Sequence, residues 1–502
     1  MFVGGLCCNS RTLLVVMEEG DDGGGGVLVT VVTPAHNEET RIERALASLL
    51  LETHRPLEVS IYDDASRDGT LNVVRRMIPR LHAAGIHTRV SCAKCFERRF
   101  GSRDGTRGGH CGTATLESDA GTGANAPAVG TTGKDAARRG SVATKDTTTV
   151  HHTAGEDDDM LRHVCSCQPA SRELQPGGVG FAKNRAIQQS VGNVLCFLDA
   201  DDYMENDRVA SQLRVLLQHP DAIVGTQFRR EPADSTERYT RWANALSDTE
   251  LCTNRFKECT VLQPTWMVRR RVFDAVGGYK EGVLCEDLDF FYRHFDVFFA
   301  NHDAASPVAF DRALCAHQRR HDDVRHANDE GTGTRCDGGD EHEEKRSKRQ
   351  TNVTPLPIAL LRTVSTVYTY RPSSACHRVS RALIRQVRAH ALQRQVLRYP
   401  PWSSGFAIWG AGKNGRLLYK LLDPAVQAKV KYFADIDPKK VGGKYNDHGP
   451  NKKHLVRSID IRGVEDLEPP FITCVAMDRG NAFETLLAKM GLTEGIDYYL
   501  FG

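Results

Sequence analysis

Three short apolar runs, each followed directly by acidic or polar residues, are the feature that most restricts the fold of this 502-residue chain. Residues 27–33 form a continuous run rich in β-branched side chains, and residues 57–62 and 193–198 have the same character. Runs of this kind are typical of strands buried on both faces of a parallel sheet. Apolar residues at helical spacing lie over residues 39–51 and 181–190. The alternation predicts a nucleotide-binding α/β domain whose ligand lies at the carboxyl ends of the strands.

Two polar stretches interrupt this pattern. Residues 101–160 contain no Phe, Trp, Tyr or Ile, so they cannot bury enough apolar surface to offset the entropy of ordering. The composition predicts a disordered insertion over about 92–175 and a second one over about 300–350. The rest of the chain predicts two domains, over 26–400 and 403–502.

The composition excludes several classes of protein. The 66 Lys and Arg residues nearly balance the 64 Asp and Glu residues, so any contact with nucleic acid must come from a local basic patch. No apolar run approaches the roughly 20 residues that span a bilayer, and the short apolar run at 12–17 has acidic flanks unlike a secretory signal. The 15 scattered cysteines indicate reduced thiols. We therefore expect a cytoplasmic protein with no membrane partner and infer no obligate protein partner.

Two carboxylates end the third apolar run. Asp199 and Asp201 are two positions apart, which places them on the same side of an extended chain. Oxygen ligands of this kind suit Mg²⁺ or Mn²⁺, which commonly bridge to substrate phosphates. A solvated turn is the alternative interpretation, because Asp-rich turns are common.

The motifs around these runs resemble those of the family 2 glycosyltransferases. They are residues 31–39, 61–70 and 197–202, followed by the pair Glu286 and Asp287 ahead of an aromatic-rich segment. The resemblance implies a GT-A nucleotide-sugar-binding domain that uses nucleotide-diphospho-sugars and inverts the anomeric centre. The fold class is then α/β, a GT-A domain with a C-terminal Rossmann-like module and two disordered insertions.

The same resemblance implies roles for individual residues. Asp201 would be the direct ligand of Mn²⁺ or Mg²⁺, and Asp199 would contact the ribose or metal-bound water. Asp287 would be the catalytic base beside Glu286, although an acidic pair before an apolar helix is also typical of a helix N-terminus. His36 stands where the family usually has an aromatic residue. The implied nucleotide-sugar site comprises Pro34, His36, Asn37, Glu38, Asp64, Lys183, Asp199 and Asp201.

Four further stretches resemble one branch of that family, the β-1,3-N-acetylglucosaminyltransferase-like proteins. They are residues 178–184, 235–242, 264–266 and 286–292. This branch implies transfer of galactose from UDP-galactose onto queuosine in tRNA. The alternative within the class is transfer of N-acetylglucosamine or another sugar from a UDP-sugar to a glycan or protein.

The C-terminal part has its own pattern. Residues 406–409 predict a strand, Gly410, Gly412 and Gly415 form a GxGxxG turn, and Asp435 follows 20 residues later. The pattern indicates either a nucleotide or anion site at a helix N-terminus or glycines that permit a tight turn and close packing, and we favour packing. A nucleotide-binding oxidoreductase is the alternative function of a different class.

A basic stretch precedes this module. Arg378, Arg381, Arg385 and Arg388 recur at spacings of three and four, which predicts one arginine face on a helix. Such a face suits phosphate contacts with RNA, and a solvated surface helix is the alternative.

Cysteine pairs in the first polar stretch have the content of a zinc site. Cys92 and Cys95 form one pair, and Cys165 and Cys167 form another. Because we place both pairs in a segment too polar to fold, and the second spacing is tight, the sequence does not favour zinc binding.

Overall fold

A computed structural model describes residues 26–95, 167, 174–302, 306–329, 355–372, 374, 378–448, 454–475 and 482–502. The N-terminal part of the chain forms an eight-stranded mixed sheet with the strand order β3-β2-β1-β4-β7-β6-β8-β5. Strands β3, β2, β1 and β4 are parallel, and β7 runs antiparallel to β4. The strands are β1 Val29–Ala35, β2 Leu57–Asp63, β3 Ile86–Cys92, β4 Val194–Phe197, β5 Tyr203–Met204, β6 Ile223–Glu231, β7 Met267–Arg269 and β8 Ile358–Thr369.

Helices cover both faces of this sheet. A helix can pack on the sheet when one of its faces is apolar. In α1, for example, the buried residues include Ile42, Ala45 and Leu49, which share one face at helical spacing. The helices of this part are α1 Ile42–Leu49, α2 Thr70–Ala83, α3 Val179–Gln188, α4 Arg208–Gln218, α5 Glu237–Ala245, α6 Asp248–Thr253, α7 Arg270–Val276, α8 Glu286–Asn301, α9 Pro307–Asp329 and α10 Arg381–Leu392.

A second, six-stranded sheet follows, with the order β11-β12-β10-β9-β13-β14. Only β11 runs antiparallel to its neighbour among the described strands of this sheet. Its elements are β9 Phe406–Trp409, α11 Lys413–Leu421, α12 Pro424–Gln427, β10 Val430–Asp435, β11 Lys444–Asp447, β12 Arg457–Gly463, β13 Phe471–Thr473, α13 Ala482–Lys489 and β14 Tyr498–Leu500. The predicted α/β class is confirmed.

One apolar core is continuous between the two sheets. Phe256 stacks on Tyr292 of α8 at a centroid distance of 6.0 Å and meets Tyr499 of β14 edge-on at 5.7 Å. Trp402 contacts the same Tyr499 ring at 5.4 Å. The two units thus bury a shared surface, and the boundary between 26–400 and 403–502 stays a prediction.

Part of the second predicted insertion forms a helix. The described residues within 300–350 include α9, whose face carrying Val308, Asp311, Leu314 and Cys315 is buried. The helix is charged elsewhere, so its average composition hides a narrow apolar stripe. Most of the first predicted insertion, residues 96–166 and 168–173, lies outside the described residues.

No helix in the described ranges is both long enough and apolar enough to cross a membrane.

Candidate active site

Three carboxylates follow β4 at the carboxyl edge of the first sheet. Carboxylate oxygens of Asp199, Asp201 and Asp202 all lie within 4.8 Å of one another. Asp199 Oδ1 and Asp202 Oδ2 are buried, and neither has a hydrogen-bond partner in the described part of the chain. The pKa of Asp201 is raised to about 6, chiefly by burial and then by the Asp199 charge. Unsatisfied, mutually repelling oxygens at this spacing fit a hard divalent cation.

Arg371 is a member of this site that the sequence analysis missed. Its guanidinium pairs with Asp201 and lies 2.9 Å from Glu38 Oε1. Arg41 holds the other oxygen of Glu38 at 2.9 Å. The predicted nucleoside-pocket residue Glu38 is therefore buried in an ion-pair chain that ends at the carboxylate cluster. No local pattern marks Arg371, since its partners are distant in sequence.

The loop after β1 carries the next predicted residues. Pro34 is buried in β1, whereas His36 and Asn37 are exposed. His36 Nδ1 lies 2.6 Å from the backbone oxygen of Asp64, and Asn37 Nδ2 lies 2.9 Å from His36 Nε2. The His36–Asp64 contact joins the ends of β1 and β2, so the structure brings these predicted residues together on one edge.

Asp64 is buried and holds the chain that returns to the sheet before α3. Its Oδ1 accepts a hydrogen bond from the Gly177 N–H at 2.9 Å, and its Oδ2 accepts one from the Gly178 N–H at 2.8 Å. Gly178 has φ +96°, a conformation that favours glycine. Asp64 thereby anchors the start of α3, a role that the sequence analysis did not assign to it.

Lys183 of α3 is buried between the carboxylates and an aromatic ring. Its Nζ donates to Gln263 Oε1 at 2.5 Å and lies 3.7 Å from Asp199 Oδ1. Gln263 in turn donates to the Tyr279 hydroxyl at 3.1 Å. Gln263 and Tyr279 are further site residues that the sequence did not reveal.

Glu286 and Asp287 begin α8. Glu286 is buried, and its pKa is raised to about 7, chiefly by burial, while Lys183 opposes the rise and Asp287 adds to it. Asp287 Oδ1 accepts a hydrogen bond from the Leu288 N–H at 2.7 Å. α3 approaches this pair closely, because a Cβ on Gly180 would lie 2.9 Å from Glu286 Cγ.

Asp199 after β4 and the acidic pair of α8 both lie close enough to Tyr279 for their charges to act on its hydroxyl. Burial raises the pKa of the Tyr279 hydroxyl well above its usual range, and the negative charges of Glu286, Asp287 and Asp199 add to that rise. Carboxylates from two distant segments thus converge near the buried Lys183 ammonium. The arrangement offers oxygen ligands on one side and carboxylate bases on the other.

The predicted arginine face is only partly present. The helix α10 begins at Arg381, so Arg378 precedes it. Arg378 and Arg381 are exposed and Arg385 is half-buried, but Arg388 is buried and donates to the Gly502 backbone oxygen at 2.8 Å. Arg388 therefore does not belong to a solvated face, because the second unit packs over it.

Two cavities are lined in part by α5, and one of them also reaches α10 and the second sheet. One, of about 260 Å³, has cationic groups from Arg238, Lys257 and Arg388 in its wall. The other, of about 510 Å³, includes Arg238 and Tyr239. Burial raises the pKa of the Tyr239 hydroxyl well above its usual range, and the Asp287 charge adds to the rise.

The C-terminal glycine turn packs tightly. A Cβ on Gly415 would lie 1.9 Å from the Gly410 oxygen, and Gly410 has φ +115°. Asp435 Oδ2 accepts a hydrogen bond from the Ala411 N–H at 2.9 Å, and Lys440 Nζ lies 3.0 Å from the same oxygen. These contacts favour the packing interpretation of the GxGxxG pattern, because Asp435 is already engaged by its own loop.

Comparison with known families places a domain on this part of the chain. Residues 30–88 and 172–277, about a third of the sequence, match the model of glycosyl transferase family 2. The matched ranges hold β1, β2, β4 and the carboxylates Asp64, Asp199 and Asp201. The chain therefore contains a glycosyltransferase family 2 domain, and the prediction of a transferase enzyme is confirmed.

Three solved structures are similar in part. TarS of S. aureus (residues 1–349) with UDP-GlcNAc is 12% identical, with TM-score 0.38, over 74% of this chain and 68% of that one. The mannosyltransferase PcManGT of Pyrobaculum calidifontis with GDP-Man and Mn²⁺ is 13% identical, with TM-score 0.36, over 80% and 73%. Glucosyl-3-phosphoglycerate synthase of Mycobacterium tuberculosis with Mn²⁺ and UDP-glucose is 16% identical, with TM-score 0.32, over 76% and 83%. These values are too low to indicate a shared donor, metal ion or acceptor.

Proposed function

We propose that this glycosyltransferase moves galactose from UDP-galactose onto queuosine in tRNA, with inversion at the anomeric carbon. The observation that carries the transferase chemistry is the convergence of Asp199, Asp201 and Asp202 with Glu286 and Asp287 around Lys183. The choice of galactose and queuosine rests on the sequence resemblance at residues 178–184, 235–242, 264–266 and 286–292.

In this proposal Asp201 and Asp199 hold Mn²⁺ or Mg²⁺, with Asp202 behind them. The unsatisfied oxygens of Asp199 and Asp202 support this assignment. A bound divalent cation would stabilise the charge that develops on the departing diphosphate. Lys183 and Arg371 border the same site and supply further positive charge to it.

The nucleoside half of the donor would lie along the loop of Pro34, His36 and Asn37. The Asp64 carboxylate holds the backbone at Gly177 and Gly178, and the Glu38 carboxylate is held by Arg41 and Arg371. We assign them to positioning the pocket.

Asp287 is the proposed base that accepts the proton of the acceptor hydroxyl. A sugar hydroxyl is a weak nucleophile, so proton removal must accompany bond formation. Glu286 is the second candidate, since a carboxyl whose pKa is raised to about 7 is well matched to proton transfer near neutral pH. Substituting each residue in turn distinguishes which of the two, Asp287 or Glu286, is the base.

The acceptor is proposed to be polyanionic because the wall of the smaller cavity holds three basic residues and one acidic residue, Glu258. Arg238 lies in both cavity walls, and Lys257 and the buried Arg388 line the smaller cavity. Arg381 is exposed at the start of the helix that carries Arg388, and Arg378 is exposed just before it. Phosphate contacts of this kind position a nucleic acid without reading its sequence.

The test is incubation of the purified protein with Mn²⁺, radiolabelled UDP-galactose and total tRNA from queuine-fed or queuine-starved cells. We expect label only in tRNA from fed cells. Label in neither pool, with UDP-sugar hydrolysis intact, would reject the acceptor, and label from UDP-N-acetylglucosamine alone would reject the donor.

The base assignment is tested with Asp287→Asn, which should retain UDP binding and lose at least about 100-fold in turnover. Glu286→Gln is the competing variant. Asp289→Asn is the matched control, because Asp289 lies on the same helix and pairs with Lys280 and Arg293. Turnover near that of the wild type in Asp287→Asn, with a large loss in Glu286→Gln, would transfer the role to Glu286.

A further inference from the structure

Three cysteines meet where the first polar stretch leaves and rejoins the sheet. Cys92 is the last residue of β3, Cys95 lies in the helical segment that begins at Ala93, and Cys167 is on the returning chain. Their Sγ atoms all lie within 4.8 Å of one another. Cys92 is 5% exposed, and Cys95 and Cys167 are half-buried.

This cluster is built on regular structure, contrary to the sequence analysis. Cys92 belongs to a strand that pairs with Asp63 of β2, and the Cys92 N–H donates to Cys95 Sγ at 3.1 Å. Arg75 of α2 donates to the Cys167 backbone oxygen. All three cysteines pack against the core beneath α1 and α2. The reason for discounting zinc, that both cysteine pairs lie in a segment too polar to fold, therefore fails for these three residues.

The thiol side chains of these cysteines determine which metal ion this cluster would bind. Thiolates suit Zn²⁺ far better than the hard cations that the aspartates of the active site prefer. Tetrahedral Zn²⁺ with Zn–S bonds of about 2.3 Å sets its sulfurs about 3.8 Å apart, so shifts of about 1 Å would close the site. A Cys-x-x-Cys pair is a common element of structural zinc sites, which have four Cys or His ligands, so these three thiolates would leave one position for a further ligand. Cys165, two positions before Cys167, lies outside the described residues.

We propose that Cys92, Cys95 and Cys167 bind a structural Zn²⁺ that fastens the chain on both sides of residues 96–166. Each thiol releases its proton to solvent as the metal binds. Ten residues after Cys167 come Gly177 and Gly178, whose N–H groups hold Asp64. The metal thus fixes the chain that leads into α3 and Lys183. This proposal is independent of the donor and the acceptor.

The experiment measures metal content in the full-length protein. After dialysis to remove loosely held ions, we expect about one equivalent of zinc per chain, by mass spectrometry of the metal, and loss of most of it in Cys95→Ser. Cys259→Ser is the matched control: Cys259 is also half-buried, and its Sγ donates to the Val261 oxygen at 3.1 Å, in a different part of the fold. The control should keep its zinc.

A second measurement guards against misfolding of the variants. Wild-type protein reconstituted with Co²⁺ should show thiolate-to-cobalt charge-transfer absorption, and Cys92→Ser should lose it while keeping the far-ultraviolet circular dichroism of the wild type. Zinc-free wild-type protein that takes up no Zn²⁺ on reconstitution would overturn the proposal. So would iron in place of zinc, a disulfide among these thiols without metal, or zinc retained by Cys92→Ser and Cys95→Ser.

Discussion

A buried ion pair fastens α9 to both units, and breaking it should destabilise the protein strongly. Arg255 and Asp311 are fully buried and form a bidentate pair at 3.2 and 2.9 Å. The Tyr499 hydroxyl of β14 donates to the same Asp311 carboxylate at 2.5 Å. Asp311→Asn keeps the shape and removes the charge, so the Arg255 guanidinium would remain buried without its counterion.

The expected cost follows from that burial. Removing one partner of a buried pair costs about 3–5 kcal/mol, because the remaining charge stays out of water. Had the segment 300–350 been a disordered insertion, as its composition predicts, Asp311 would be solvated and its substitution would change stability by less than about 0.5 kcal/mol. The expected loss of stability in Asp311→Asn is therefore several-fold larger if Asp311 is buried than if it is solvated.

The assay is equilibrium unfolding in urea followed by tryptophan fluorescence, since Trp402 lies 5.4 Å from the Tyr499 ring. Asp248→Asn is the control, because the Asp248–Arg362 pair is exposed and surface pairs contribute about 0–1 kcal/mol. Equal shifts in the midpoint for Asp311→Asn and Asp248→Asn would refute the reasoning. Replacing both Arg255 and Asp311 by apolar residues should recover part of the loss.

Arg371→Met should tighten Mn²⁺ binding in the absence of donor, measured by calorimetry, because the guanidinium competes for Asp201; weaker binding would contradict this. Burial raises the pKa of Glu494 from 4.5 to about 8, so the folded protein binds more protons than the unfolded chain across that window. The free energy of unfolding should therefore fall by about 1.4 kcal/mol per pH unit as the pH rises between these two pKa values. Thermal unfolding of Glu494→Gln should not show this dependence on pH. Gly180→Ala should lower turnover more than UDP affinity, because its Cβ would press on Glu286; an unchanged turnover would show that α3 can shift.

The strands and the acidic loops could be predicted because local chemistry determines them. β-branched runs mark β1 and β2 within two residues, and the acidic loops after them follow from the direction of parallel strands. The GxGxxG turn could likewise be predicted from the sequence, including the close backbone packing at Gly415. Each of these signals lies within a few residues of the element that it specifies.

Features that depend on distant partners could not be predicted. Arg371 joins Glu38 across most of the chain, and nothing near either residue indicates the other. Asp311 is charged, so a composition count treats it as evidence of exposure, although its partner Arg255 makes burial favourable. Arg388 shares the spacing of a solvated arginine face, yet Gly502 covers it. The sequence shows which groups are present, and packing decides which of them meet.

The position of β4 beside β1 has a consequence for how the chain can be cut. Strands β1 to β3 come before residues 96–166 and β4 comes after them, yet the registers of β1 with β2 and with β4 both begin at Val29. Among the described strands, β4 therefore lies directly beside β1 in the sheet. Two polypeptides covering residues 26–95 and 167–502 carry complementary halves of one sheet. When co-expressed they should assemble into a two-chain enzyme, which would offer a site for fusing or conditionally splitting the protein.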